Sequence, residues 1–175
     1  MTFANDTVEA LESAVFLSNS ELEPDTMTTL AELRAFFTHF DYTGPLPTAR
    51  DLEPMRAIRT PLRRLFLATR DEAVPLVNAI LTQERALPQL VRHGDLDWHI
   101  HATSDDRPLA ERILVESAMA MIDVIRAHEM SRFSHCAMED CDGVVFDMSR
   151  NRSKKYCTVT CTNRAAQAAF RARQG

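Results

Sequence analysis

The sequence has 175 residues, 45% of them apolar and 26% charged, a balance that excludes a disordered chain and leaves enough length for one or two small domains with a real core. No run approaches the roughly 20 apolar residues of a membrane helix, and Asp6, Glu9 and Glu12 stand where a secretory signal would carry cations, so a cytoplasmic protein without membrane contact is expected. The net charge of −5 hides an asymmetry: residues 149–175 hold seven cations and no carboxylate, which leaves 13 cations against 25 carboxylates elsewhere.

Near the N-terminus, Val8, Leu11 and Val15 recur at helical spacing behind Asn5, Asp6 and Thr7 as candidate caps. Thr29 and Glu32 stand in capping-box register before a second helix whose apolar face is Leu33, Phe36, Phe37 and Phe40. Gly44, Pro45 and Pro47 mark residues 42–48 as a loop. A third helix is predicted from about Leu52 to Leu67, with Met55, Ile58, Leu62, Leu65 and Phe66 inward. Pro54 suits its first turn, and Pro61 should kink or split it. A fourth helix follows over residues 72–84, with Pro75 near its start. Leu87–Arg92 and Leu96–Ala102 then change to a strand period around His93-Gly94-Asp95. The longest helix comes next, with Asp105 or Asp106 as cap and Pro108 in its first turn.

Residues 1–128 carry no convincing catalytic set. His99 and His101 alternate on a predicted strand and so point the same way, which allows a shared ligand but more often marks a polar face. Trp98 faces the other side and reads as core. Met119, Met121 and Met130 read as packing.

The chemistry gathers in the last 40 residues, where all four cysteines follow the spacing Cys136-x4-Cys141-x15-Cys157-x3-Cys161. Unrelated structural thiols need not come in two close pairs, and disulfides suit a cytosolic chain poorly. Two short-range ligand pairs with enough chain between them to fold back suit a tetrathiolate zinc site. Val144, Phe146 and Met148 alternate with Val145 and Asp147 as a strand, with Lys154–Cys157 as the expected returning partner, and the Ala- and Arg-rich segment after Cys157 should be helical. That order is a treble-clef layout, too small to fold by apolar burial alone, so structural Zn2+ would supply much of its folding free energy. On the final helix Ala165, Ala168 and Ala172 share the Cys161 direction and would let the helix press on the hairpin, while Phe170 falls opposite. Arg164, Gln167 and Arg171 form an i, i+3, i+7 stripe. With Arg150, Arg152, Lys154, Lys155 and Arg173 they make the candidate nucleic-acid-binding set. A solvated face, with Arg171 and Arg173 complementing the helix dipole, is the plainer alternative.

The stretch Phe146-Asp147, Ser149-Arg150-Asn151, Lys154-Lys155, Tyr156-Cys157 and Cys161-Thr162-Asn163-Arg164 resembles the CGNR zinc-finger motif. Thr162 stands in the Gly position of that motif, and three residues rather than four separate the last two thiols. Upstream, "ALESAVFLSNS", "LAELRAFF", "MRAIRTPLRRLF" and "LVNAIL" stand in the order of the ABATE domain that accompanies this finger. The resemblance implies a bacterial stress-responsive transcription regulator whose body senses a small molecule.

The expected fold is therefore α+β: a mainly helical ABATE-like domain with a small β-hairpin over residues 1–128, then a small treble-clef-like zinc finger over 132–175. The expected function is zinc-dependent DNA binding in transcription regulation, with an unknown small-molecule effector and a homodimer as further expected partners. RNA binding, with Tyr156 and Phe146 stacking on bases, and a zinc-stapled protein-interaction module are the alternatives. Catalysis is not expected, because four thiolates leave no open coordination position. His135 is the substitute ligand whose involvement would reopen it.

Overall fold

The computed structural model describes residues 3–92 and 98–174. Helix α1 (Asn5–Asn19) buries Leu11, Ala14, Val15 and Leu17. Its N-cap is Ala4, without a side-chain cap bond, so the candidate caps Asn5, Asp6 and Thr7 fall inside the first turn. A tertiary partner takes the Thr7 hydroxyl instead, which donates to the Asp123 carboxylate at 2.9 Å. Helix α2 (Leu30–His39) starts at the capping box: Glu32 N–H donates to Thr29 Oγ1 at 3.2 Å and Thr29 N–H to the Glu32 carboxylate at 2.9 Å. Leu33, Phe36 and Phe37 are buried, with Phe40 packed at the edge. Gly44 in the following loop has φ +94°, and a Cβ there would meet the Asp105 carbonyl oxygen at 2.5 Å.

The predicted third helix is split, as Pro61 requires. Helix α3 (Leu52–Ala57) and helix α4 (Arg59–Leu67) meet at Ile58. Pro61 then occupies the third position of α4, where an N–H would have no intrahelical partner. Met55, Ile58, Leu62, Leu65 and Phe66 are all buried. Helix α5 (Arg70–Gln83) begins earlier than its apolar pattern suggests, because Thr69 and Glu72 form another capping box; Pro75 therefore lies inside it.

Strands β1 (Gln89–Val91) and β2 (His99–His101) pair antiparallel, with Leu90 opposite Ile100. Both are shorter than predicted, and His93-Gly94-Asp95, with the start of the second predicted strand, lies outside the described residues. Trp98, expected in the core, is 63% exposed, and Leu90 and Ile100 are exposed as well. A ribbon three residues long has no second layer to bury its outer face. Helix α6 (Leu109–Arg126) runs through the centre against α1 and α5. Its N-cap is Pro108, not Asp105 or Asp106. Asp105 accepts from Thr43 Oγ1 at 2.9 Å and pairs with Arg112 at 3.5 Å, while Asp106 accepts from the Ser104 hydroxyl. Among the described residues, no helix is long and apolar enough to cross a membrane.

The C-terminal region consists of strands β3 (Phe133–His135) and β4 (Val144–Phe146), antiparallel, and helix α7 (Val159–Ala172). The partner of β4 is thus β3, and Lys154–Cys157 is not a strand. Both edges of β4 are already satisfied. One takes β3, and the other takes the Asn19 side chain, whose Nδ2 donates to the Val144 carbonyl and whose Oδ1 accepts the Val144 N–H, each at 2.8 Å. Val144 and Phe146 join the main core; Phe66, Phe133 and Phe146 stack with centroids 5.0 and 4.7 Å apart. Val145 points the other way, into a second cluster with Cys136 and Cys161. The alternation of β4 is real, yet both of its faces are buried. The whole is α+β: helices, two small hairpins and a finger seated on the helical body.

Candidate metal centre and basic surface

Cys136 directly follows β3, and Cys141 lies in the turn between β3 and β4. Cys157 precedes α7, and Cys161 is its third residue. The Thr158 side chain caps that helix by accepting the Cys161 N–H at 3.2 Å, which holds the last thiol in the first turn. Three residues between Cys157 and Cys161 suffice because the chain makes one turn between them.

The Sγ atoms of Cys141 and Cys157 are 3.5 Å apart, and each lies 3.8 Å from Cys161 Sγ; all four sulfurs fall within 4.8 Å of one another. A tetrahedron of Zn–S bonds of about 2.3 Å has edges of about 3.8 Å, so the cluster fits zinc. The thiols are free, and these separations are far beyond the roughly 2.05 Å of a disulfide. His135 is exposed and outside the cluster, so the ligand set is four sulfurs. Burial pushes the Cys141 and Cys157 thiols up. At Cys136 burial acts the same way, but backbone N–H groups of Met138 and Cys157 aimed at the sulfur hold it below the usual thiol range. Gly143 makes the closure feasible: a Cβ there would lie 2.6 Å from Cys157 Sγ.

Asp147 organises the loop that carries the cations. Its carboxylate accepts the N–H groups of Ser149 and Lys154, each at 2.7 Å, and its own N–H donates to the Arg132 carbonyl at 2.8 Å. Although burial opposes ionisation, these bonds and Lys154 hold the carboxyl below its ordinary value.

The eight residues of the candidate nucleic-acid-binding set are all exposed, but they are not equivalent. Arg152 pairs with Glu129 at 2.7 Å and also donates to Ser131, and Arg164 pairs with Asp140. Lys154 donates its ammonium to the Phe146 carbonyl at 3.1 Å, and Arg173 bonds the Ala169 carbonyl at 3.2 Å. Arg150, Lys155, Gln167 and Arg171 make no side-chain bond with described residues. Ala168 and Ala172, expected to press on the hairpin, are exposed, and only Cys161 of α7 is buried. The helix is anchored through its first turn and projects from the body, so Gln167 and Arg171 of its stripe are fully presented, while Arg164 is exposed but paired with Asp140.

His99 and His101 do point the same way, with Nε2 atoms 3.1 Å apart. Two residues of this region escaped sequence reasoning. Asn19 is indistinguishable from any helix-terminal Asn until its partner strand is placed. Glu116 is a partly buried carboxylate of the longest helix, one turn after the buried Arg112, and the i, i+4 spacing from Arg112 is its one mark in the sequence.

Residues 12–128 match the ABATE family, described as "Putative stress-induced transcription regulator", and residues 132–174 match the CGNR zinc finger. No curated protein matches the chain.

Proposed function

Because the chain belongs to the ABATE family and carries a CGNR zinc finger, we propose that it is a transcription regulator that binds duplex DNA through this finger, with a structural Zn2+ fixing the geometry. The observation that carries the reading is a tetrathiolate cluster at the root of a projecting helix whose exposed face holds Arg164, Gln167 and Arg171. Arg150 and Lys155, on the loop shaped by Asp147, extend the positive surface. Four thiolates leave no open coordination position, so the metal is read as structural rather than catalytic. Duplex DNA is favoured over unpaired RNA because Phe146 is 4% exposed and Tyr156 is partly buried against the thiol cluster, so among the described residues no fully exposed aromatic platform for bases lies beside the thiols.

The test is binding of the zinc-loaded protein to duplex DNA across a salt series. With three to five phosphate contacts, log affinity should fall against log salt with a slope of about −3 to −4.5. Absence of binding at low salt with zinc in place refutes the proposal.

A further inference from the structure

A cavity of about 380 Å³ lies between α1, α6, β2 and the loop after α2, at the small end of the range for small-molecule sites. Phe40, Tyr42, Ile100 and Met119 supply apolar wall. Carboxylates outnumber guanidinium groups in the lining: Asp6, Glu9, Asp41, Glu116 and Asp123 stand against Arg112 and Arg126, with His99 and His101 on the β2 side. Arg112 is already engaged, since it is buried, donates to the Thr43 carbonyl at 2.7 Å, pairs with Asp105 and lies over the Tyr42 ring.

Glu116 has no such partner. It follows Arg112 by one turn of α6, and protein surrounds its carboxyl except where it meets the cavity. Among the described residues it has neither a hydrogen bond nor an ion pair. Burial therefore pushes this carboxyl up to about 7, with Arg112 offsetting only part of the cost and Asp105 adding to it. A buried carboxylate without a partner is costly, and a ligand that brings a positive charge and hydrogen-bond donors removes that cost. An anion would instead meet a lining dominated by carboxylates.

We propose that this cavity binds a small organic ammonium with an aromatic or aliphatic body, its charged end on Glu116 and its body against Phe40, Tyr42 and Met119. The proposal is independent of the DNA-binding reading. Calorimetry on the zinc-loaded full-length chain tests it with 2-phenylethylammonium, using phenylacetate and 2-phenylethanol as anionic and neutral isosteres. The ammonium should bind at least about tenfold more tightly than either isostere. Glu116→Gln should lose about tenfold in affinity while the unliganded protein melts no earlier, because it removes a charge and keeps the shape. Met119→Trp, which fills the space without altering a charge, should abolish binding with helical circular dichroism intact. Equal or tighter binding of phenylacetate or 2-phenylethanol, full affinity in Glu116→Gln, or no binding of phenylethyl-, benzyl- or hexylammonium at millimolar concentration overturns the proposal.

Discussion

Replacing Asn19 by Ala tests whether the finger is fused to the helical body or merely tethered beside it. The Asn19 amide closes the outer edge of β4 with two bonds of 2.8 Å to Val144, a residue with no exposed surface. Truncation leaves an N–H and a carbonyl without partners where water has little access. Each unsatisfied group costs about 1–3 kcal/mol, so the sum is about 2–6 kcal/mol, with the low end applying if water enters the vacated space. For a chain of this size about 3 kcal/mol corresponds to a fall of roughly 6–12 °C in melting temperature. Thermal unfolding of the zinc-loaded protein reads that shift, and hydrogen exchange at the Val144 amide reads the local loss. Asn78→Ala, at an exposed position of α5, is the control and should stay within about 0.5 kcal/mol. If Asn19→Ala melts within about 2 °C of the parent and its Val144 amide keeps full protection, the edge contact contributes nothing and the fused arrangement is wrong.

Gly143→Ala should lower zinc content sharply while leaving the helical spectrum of the body in place, because the added methyl collides with the Cys157 side chain; metal analysis after purification reads it. Chelation should release one Zn2+ per chain and abolish DNA binding, with α1–α6 still folded, since most of their core is helical and lies outside the thiol cluster; a melting curve and a binding assay on the same sample check both. Arg171→Glu should weaken DNA binding and reduce the steepness of its salt dependence, by about one unit for the lost contact, whereas Arg152→Ala, which breaks an ion pair with Glu129, should act mainly on stability. Glu116 gives a pH signature of definite sign. Its folded-state pKa is raised, from 4.5 to about 7, so the folded protein binds more protons than the unfolded chain and this residue's contribution falls as pH rises through that window. Glu116→Gln should therefore be nearly neutral at pH about 4.5 and stabilising by up to about 3 kcal/mol at pH about 8, read as the pH dependence of the melting-temperature difference.

Much of this molecule was legible in the chain because the relevant forces act over a few residues. Thr29 and Glu32 satisfy each other within one turn, Pro61 interrupts its own helix, and the apolar positions from Met55 to Phe66 face one way by helical geometry alone. The thiol spacing likewise announced a metal site, since two short chelating pairs need only a fold-back to meet. Tertiary structure decided the rest. The pairing of β4 with β3 rather than Lys154–Cys157 depended on which edges were free, and Asn19, 125 positions away, had taken one of them. Trp98 is exposed because its ribbon has no second layer, and α7 stands clear of the hairpin because only its first turn is held. The cavity beside Glu116 exists only where α1, α6 and β2 converge. Local hydrogen bonding and periodicity are properties of the sequence. Which edge is covered, which face meets solvent and which charge is left unpaired depend on residues distant in the chain, and only packing brings those together.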